Sequence, residues 1–499
     1  MTDGQDQRLR DQPEPGWRVL DRDLNRISRV EYATTYVAQP LVAVGLAMVF
    51  VALAAIWAAL IAGGGAGSLI IVVASAFAAY LALNIGANDV ANNMGPAVGA
   101  NALTMTGALI MAAICETAGA LIAGGDVVDT IASGIVAPAS LADERIFVIA
   151  MMAALLSSAL WLNLATWLGA PVSTTHAIVG GVAGAGIAAA GFGAVDWGGM
   201  SRIALSWVVS PVLGGGLAAA ALWVVHRLVI DRPDKIVAAR TWVPVLIAVM
   251  AWAFGTYLAL KGLRHVFAIT LGQALLIGMA CAVLSWALAK PYIRRRSKGL
   301  ENRNKSLKVL FQLPLVLSAA LMSFAHGAND VSNAIGPLAA IVATLGHSGG
   351  AGGFAVPLWV MVIGALGISV GLMLFGPRLI RMVGDQITKL NAMRAYCVAL
   401  SAAITVIAAS WLGLPVSSTH IAIGGVFGVG FFRERVEARR MRQMAGTVDI
   451  PSMATEERQR RKLVRRSHFM TIIAAWVITV PATATVSGLV FVVLRMLQT

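Results

Sequence analysis

The chain alternates between long apolar runs and short polar segments. A membrane-spanning helix needs about 20 predominantly apolar residues. Runs of that length recur along the whole sequence, and the stretch from Leu41 to Ala87 carries no charged residue. The pattern predicts thirteen crossings, with approximate limits at residues 39–63, 68–86, 103–124, 146–168, 173–191, 203–226, 241–260, 267–287, 309–328, 356–376, 395–412, 416–432 and 470–494.

Composition agrees with a polytopic membrane protein. Only 12% of the residues are charged and the mean hydropathy is +0.78, whereas soluble domains carry about 25% charged residues. One further apolar segment, 331–345, is shorter than a full crossing and predicts a re-entrant segment. The first apolar run follows a polar leader, which favours a retained first span over a cleaved signal.

The basic residues predict the orientation. If the N-terminus is cytoplasmic, 33 of the 38 Lys and Arg residues fall on the cytoplasmic side and five outside. This bias is typical of cytoplasmic loops, and it explains the net charge of +14 without a nucleic-acid partner. The sequence therefore predicts a multi-pass protein of the plasma membrane, here a bacterial inner membrane, with its C-terminus outside. The cytoplasmic segments that hold these 33 residues are 1–38, 227–240, 288–308, 377–394 and 433–469.

Two polar motifs each occur twice. GANDVANNMGP, from Gly86, and GANDVSNAIGP, from Gly327, are identical at eight of eleven positions. PVSTTHAIVGGV, from Pro171, and PVSSTHIAIGGV, from Pro415, are identical at eight of twelve. The duplication divides the chain into a leader with an extra helix (1–67), repeat 1 (68–226), a two-span insert with a basic loop (227–308) and repeat 2 (309–494).

The repeats are expected to be inverted relative to each other. Seven predicted crossings separate the two copies of each motif, and an odd number places them on opposite sides of the membrane. Inverted repeats with helices that break near the midplane are typical of secondary transporters. The sequence therefore predicts an all-α protein with two inverted repeats, broken helices or re-entrant hairpins, and 12–13 spans. A purely structural membrane protein is the alternative.

The first motif predicts a cation site. Glycine and proline bracket each copy, which predicts a helix break that frees backbone carbonyls. Carbonyls, amide oxygens and a carboxylate would suit an alkali cation such as sodium, and a charge at bilayer depth costs at least about 2.5 kcal/mol. The alternative is hydrogen bonding between helices by the asparagines. The predicted cation-binding residues are Asn88, Asp89, Asn92, Asn329, Asp330 and Asn333.

The second motif predicts an oxyanion site. Pro171 and Pro415 suit the first turn of a helix, whose N-terminus offers unpaired amides and the positive end of the helix dipole. Hydroxyls beside those amides can hold a tetrahedral oxyanion, although helix capping alone is the alternative. The predicted anion-binding residues are Ser173, Thr174, Thr175, Ser417, Ser418 and Thr419.

Three further residues are candidates for ion coupling. His176 and His420 follow the hydroxyl triplets directly and could carry a proton or orient the loop. Glu116 is a buried acid of the third predicted crossing, and repeat 2 has no glutamate in the equivalent region. The interpretation of both histidines as structural residues stays open.

Together the four motif copies resemble the signatures of the inorganic phosphate transporter (PiT) family. The resemblance covers residues 68–226 and 309–494. It implies an inverted-repeat symporter that moves phosphate with sodium or protons, with sulfate or metal–phosphate as cargo in some relatives. It also places Asp89 and Asp330 at the cation and phosphate centre, the hydroxyl triplets in phosphate-holding hairpins, and Glu116 at an acid needed for transport.

The resemblance implies a carrier and not an enzyme, without any cofactor beyond the co-transported ion. Its expected partners are inorganic phosphate and membrane lipid, and a homodimer is compatible with the sequence. Two rivals remain: a symporter for sulfate or another oxyanion, and an ion channel. The leader and first span (1–63) look like an addition to the usual twelve-span body of the family, and the absence of the very long central loop of animal relatives indicates a prokaryotic member.

Overall fold

The structure is a computed structural model. It describes residues 41–65, 67–141, 143–168, 170, 172–262, 267–346, 356–386, 391–445 and 466–497. The chain divides into two compact units, Met1–Val49 and Phe50–Thr499. The described part of the first unit, 41–49, is helical. The predicted cytoplasmic leader, 1–38, and residues 446–465 of the second basic loop lie outside the described residues.

Thirteen principal helices make up the described chain, which confirms the predicted all-α fold. In this part of the chain the only β pairing is an isolated bridge between Val136 and Val195. The helices are α1 (Leu41–Ala62), α2 (Ser68–Gly99), α3 (Met105–Ala123), α4 (Glu144–Leu168), α5 (Thr174–Ala190), α6 (Trp197–Val225), α7 (Lys235–Lys261), α8 (Leu271–Arg296), α9 (Gln312–Thr344), α10 (Leu358–Gln386), α11 (Ala392–Trp411), α12 (Ser418–Ala445) and α13 (Arg466–Met496).

Each predicted crossing coincides with one of these helices. Ten helices in the described chain are long and apolar enough to span a membrane, or eleven if the bent pair Asn304–Leu310 and Gln312–Thr344 counts as one span. The helix α5 has only 17 residues and falls among the shorter apolar helices. The protein is therefore a multi-pass membrane protein.

The predicted helix break at the first motif is wrong. Helix α2 continues through Gly86, Gly95 and Pro96 to Gly99, and α9 continues through the second copy to Thr344. Segment 331–345, predicted to be re-entrant, is the C-terminal part of α9, which ends at Thr344. Proline here does not end the helix, but its missing N–H leaves the carbonyl four residues earlier, that of Asn92 or Asn333, without its helical donor. The motif therefore contributes its side chains and one freed carbonyl in each copy, not the open backbone of a broken helix.

Helices of repeat 1 (68–226) pack on helices of repeat 2 (309–494), and the contacts come in equivalent pairs. The motif helix α2 packs on α10 of the other half, and α9 packs on α3. In the same way α5 packs on α13, and α12 packs on α6. Equivalent elements thus have equivalent partners across the halves, which is the relation that a pseudo-two-fold axis produces.

Glycines set the distance at these crossings. A Cβ added to Gly86 would overlap the carbonyl oxygen of Ile368, and one added to Gly327 would overlap that of Glu116. Because the backbones approach this closely, only glycine fits. Ile368 and Glu116 therefore occupy equivalent places in the two crossings. The Thr117 and Ser369 hydroxyls, next along α3 and α10, lie 2.7 Å apart.

Candidate functional site

The second motif begins two helices in the same way. Ser173 is the N-cap of α5, where its hydroxyl oxygen accepts the backbone N–H of His176. Ser417 accepts the backbone N–H of His420 at the start of α12. The helices begin at Thr174 and Ser418, so the prediction that Pro415 lies in the first turn is wrong; Pro171 lies outside the described residues. Capping thus accounts for one hydroxyl in each triplet.

Asp89 is the acceptor for polar groups from both halves. Its Oδ1 accepts hydrogen bonds from Thr419 Oγ1 at 3.0 Å, Asn88 Nδ2 at 3.1 Å and Asn92 Nδ2 at 3.4 Å. Its Oδ2 accepts from Thr174 Oγ1 at 3.0 Å. Thus a carboxylate from the first motif contacts hydroxyls from both copies of the second.

Asp330 lies beside the same hydroxyls. Its Oδ2 accepts from Ser418 Oγ at 3.2 Å and from Thr174 Oγ1 at 3.5 Å. Thr174 therefore lies between the two aspartates. The four motif copies, predicted from their repetition alone, meet in one buried cluster.

Two asparagines join the motifs across the halves. Asn92 of α2 donates to Thr419 Oγ1 at 2.8 Å, and Asn333 of α9 donates to Thr175 Oγ1 at 3.2 Å. Thr175 in turn donates to the carbonyl of Val416 at 3.0 Å. Asn92 and Asn333 are equivalent positions of the two repeats, and so are their partners Thr419 and Thr175. The two contacts are therefore equivalent, like the helix contacts around them.

Among the described residues, buried oxygens without a donor are concentrated in the second motif copy, which has three, against one, Asn93 Oδ1, in the first. Asn329 Oδ1, Asp330 Oδ1 and Asn333 Oδ1 have no hydrogen-bond partner among the described residues. Their side chains are at most 1% exposed. A buried acceptor without a donor is costly unless a ligand satisfies it, and carboxylate and amide oxygens suit a hard cation.

A residue that the sequence reasoning missed, His326, lies in the centre of the cluster. Its Nε2 lies 2.9 Å from Asp330 Oδ2 and 3.5 Å from Asp89 Oδ2, and its Nδ1 lies 3.2 Å from Glu116 Oε2. The imidazole is completely buried. It directly precedes the second motif, and its counterpart before the first motif is Ile85; a search for repeated residues therefore passes over it.

The predicted coupling residues fall into two separate places. Glu116 belongs to the cluster, where its Oε1 accepts from Asn93 Nδ2 at 2.8 Å. His176 and His420 instead pair with each other, with ring centroids 4.5 Å apart. Trp207 packs edge-on against His176 and donates to the carbonyl of Pro415. The backbone N–H of each histidine also donates to the N-cap serine three residues earlier, which fits a role in orienting the helix starts.

The charge of the cluster is acidic. Three buried carboxylates surround one imidazole, and no Lys or Arg forms an ion pair with them in the described chain. One ligand atom each from Asp89, His326 and Asp330 all lie within 4.8 Å of one another, close enough to share a metal ion. An oxyanion could enter beside these carboxylates only with cations to offset the repulsion.

Comparisons with known proteins agree with this geometry. The profile of the Phosphate transporter family matches residues 85–487. A "Putative phosphate permease" of Helicobacter pylori is 41% identical over 95% of this chain and 99% of its own length. "Inorganic phosphate transporter 2-1, chloroplastic" of Arabidopsis thaliana is 38% identical over 76% of this chain and 69% of its own.

A solved structure shares the fold. "The sodium-dependent phosphate transporter" superposes with a TM-score of 0.76 at 31% identity, over 86% of this chain and 99% of that one. These matches confirm the resemblance drawn from the motifs and the expectation of a transporter and not an enzyme. They lend no support to the sulfate and channel alternatives. The chain belongs to the phosphate transporter family.

Proposed function

We propose that the protein imports inorganic phosphate across the bacterial plasma membrane by symport with sodium. One observation carries the proposal: hydroxyls of both anion motifs contact the buried Asp89 and Asp330 carboxylates directly. Three buried carboxylates surround a single imidazole there, so a site that places anion-holding groups against them needs cations whenever the anion is bound. The name of the sodium-dependent solved structure supports sodium as that cation.

The predicted residues have distinct parts in this mechanism. Hydroxyls and free amides at the starts of α5 and α12 hold the phosphate, aided by the positive ends of both helices. The Asn and Asp side chains of α2 and α9 hold sodium. Because each ion reduces the electrostatic cost of binding the other, the loaded and the empty carriers are favoured over a half-loaded one, which couples the fluxes.

The equivalent packing of helices between the two repeats suits alternating access. We place the pseudo-two-fold axis in the membrane plane, so that the repeats are inverted and the cluster lies near the midplane. Opening toward one side would then be mirrored by an equivalent opening toward the other. The N-terminus is placed in the cytoplasm and the C-terminus outside, as the basic residues predict.

Labelled phosphate uptake into proteoliposomes tests the proposal. Concentrative uptake is expected with an inward sodium gradient at symmetrical pH, and little uptake with a proton gradient alone. Sulfate in tenfold excess should leave the phosphate flux nearly unchanged. Uptake that follows the proton gradient and ignores sodium would overturn sodium coupling and transfer that role to Glu116, His176 or His420.

Neutralising either aspartate tests the cation roles. Asp89→Asn and Asp330→Asn each remove a charge and keep the side-chain size. Each variant is expected to insert normally and to lose concentrative phosphate uptake, because the cation that offsets the anion no longer binds. Near-normal uptake by both variants, at matched protein amounts, would refute these roles.

A further inference from the structure

The two helix crossings at the cluster are equivalent in backbone but opposite in chemistry. At one crossing Glu116 of α3 contacts His326 of α9. At the other crossing Ile368 of α10 and Ile85 of α2 take the equivalent places. The first motif copy also has Asn93 where the second has Ala334. Three positions are therefore polar at one crossing, and the positions equivalent to them under the pseudo-two-fold axis are apolar.

These three residues form one continuous chain of contacts. Asn93 donates to Glu116 Oε1, Glu116 Oε2 meets His326 Nδ1, and His326 Nε2 meets Asp330 Oδ2. All are buried, and His326 and Asn93 have no exposed surface. The Asn93–Glu116 contact is a hydrogen bond, whereas the two contacts of His326 are ion-pair distances without hydrogen-bond geometry. Attraction between the imidazole and the carboxylates, which is strong in a buried site, holds this part of the chain of contacts together.

The two aspartates differ in how many of their oxygens have hydrogen-bond partners. Both oxygens of Asp89 accept from amides and hydroxyls of the protein. In Asp330 only Oδ2 has partners, one of them His326, and Oδ1 has none among the described residues. The unpartnered Asn329 Oδ1 and Asn333 Oδ1 lie on the same helix, one residue before Asp330 and three after it. Asn333 therefore neighbours each of the other two on the helix surface, at spacings of four and three residues.

We infer that Asn93, Glu116 and His326 are positioning residues that make the two cation sites unequal. By holding Oδ2 of Asp330, they leave Oδ1 open to a sodium ion together with the Asn329 and Asn333 oxygens. The second motif copy is then the tighter sodium site, because the carboxylate of the first, Asp89, already accepts from the protein's own donors at both oxygens. This inference deepens the proposed sodium symport and rests on it.

The residues at the other crossing suggest the substitutions that test this inference. The double variant Glu116→Ile with His326→Ile reproduces the isoleucine pair of the other crossing. Replacing a buried ion pair by apolar residues of similar volume is often neutral or stabilising, so this variant is expected to insert and remain folded. Equilibrium binding of ²²Na⁺ to purified protein without phosphate should show sodium affinity weakened about tenfold or more, as when outer partners of a metal ligand are lost.

A milder variant and a control complete the experiment. Asn93→Ala introduces the residue that repeat 2 already carries at this position, and it should weaken sodium binding in the same direction by a smaller factor. The control, Ile85→Leu with Ile368→Leu, alters the apolar crossing by a volume-conserving change and should leave sodium affinity unchanged.

The outcomes separate the inference from the function that it rests on. If the folded double variant binds sodium as tightly as wild type, the positioning role is wrong, although wild-type uptake can still be sodium-driven. If the control loses as much affinity as the double variant, the effect comes from helix packing and the inference also fails. If proteoliposomes with the wild-type protein show no sodium-driven phosphate uptake, the proposed function itself is wrong, and the inference that rests on it is wrong as well.

Discussion

Thr174 is the hydroxyl that joins the two acidic residues, and this position determines what its loss should do. Its Oγ1 donates to Asp89 Oδ2 at 3.0 Å and lies 3.5 Å from Asp330 Oδ2. Thr174→Val keeps the shape but removes a hydroxyl that the proposed function assigns to phosphate, and a hydrogen bond to a charged group contributes about 1.5–3 kcal/mol. Phosphate KM is therefore expected to rise about tenfold, since each 1.4 kcal/mol is a factor of about ten.

Uptake kinetics at matched protein amounts measure this effect. Thr344→Val is the matched control, because the Thr344 hydroxyl donates to the Ala340 carbonyl one turn earlier, near the end of α9. It should retain near-normal KM. Equal losses in both variants would mean that threonine hydroxyls in general, and not Thr174 in particular, sustain transport.

Ser173 is a helix cap, and the further question is whether it also touches the anion. Replacing an N-cap serine by glycine costs only a few tenths of a kcal/mol in stability, whereas alanine costs about 1 kcal/mol. Ser173→Gly should therefore leave thermal stability almost unchanged and raise phosphate KM by loss of the hydroxyl. An unchanged KM in this variant would reduce Ser173 to a capping residue.

At the residue scale, repetition predicted the acidic and hydroxyl members of the cluster but not its centre. Asp89, Asp330 and the hydroxyl triplets recur in both halves, so the sequence alone indicated that they act together. His326 occurs once, opposite Ile85, and its contact with Glu116 places it in the cluster. An unrepeated polar residue beside a repeated motif is the signal that could have identified it.

At the element scale, the glycine crossings predict a sharp difference between two similar substitutions. Gly327→Ala would place a Cβ against the backbone of Glu116, whereas Gly99→Ala meets nothing within 4 Å. Alanine is favoured over glycine by about 0.5–1 kcal/mol inside a helix; Gly327 lies inside α9 and Gly99 is the last residue of α2, where the gain is smaller. Gly99→Ala should therefore retain or gain thermal stability, and Gly327→Ala should lose stability and transport together.

Thermal unfolding of the detergent-purified variants, followed by fluorescence-detected size exclusion, measures this difference. The same comparison can be made at the other crossing, where Gly86→Ala meets the backbone of Ile368. Wild-type stability in both the Gly327 and Gly86 variants would show that the crossings can separate without cost.

The pattern of apolar runs predicted which helices exist but not how they end. Every expected crossing contains a helix, because about 20 apolar residues have no alternative in lipid. Glycine and proline around the first motif were interpreted as a break, and they are instead accommodated inside α2. Gly86 is required by the backbone of Ile368, on a helix 282 residues later in sequence. Such a contact depends on tertiary packing, which no local pattern contains.

At the scale of the whole molecule, the basic residues predict which face each end occupies. Arg202, in α6, is predicted to face outside, and Arg296, at the end of α8, to face the cytoplasm. In a variant without Cys115, Cys281 and Cys397, single cysteines at these two exposed positions should label differently. A membrane-impermeant maleimide should react with Arg202→Cys in right-side-out vesicles and with Arg296→Cys only after permeabilisation.

Labelling of both positions from the same face would contradict the predicted alternation, and with it the inverted relation of the repeats. The reverse pattern would instead invert the whole topology and leave the relation between the repeats intact. The native cysteines are removed beforehand because two of them, Cys115 and Cys281, are partly accessible.

The bond between Thr419 and Asp89 spans 330 residues of sequence, and this separation has a consequence for biogenesis. At synthesis rates of about 5–20 residues per second, α2 is inserted roughly 15–65 seconds before α12 exists. During that interval the nascent protein holds an acidic side chain in or near the translocon without the hydroxyl that later satisfies it. Assembly of the site is therefore a late event of maturation, and chains that terminate before α12 should be recognised by membrane quality-control proteases.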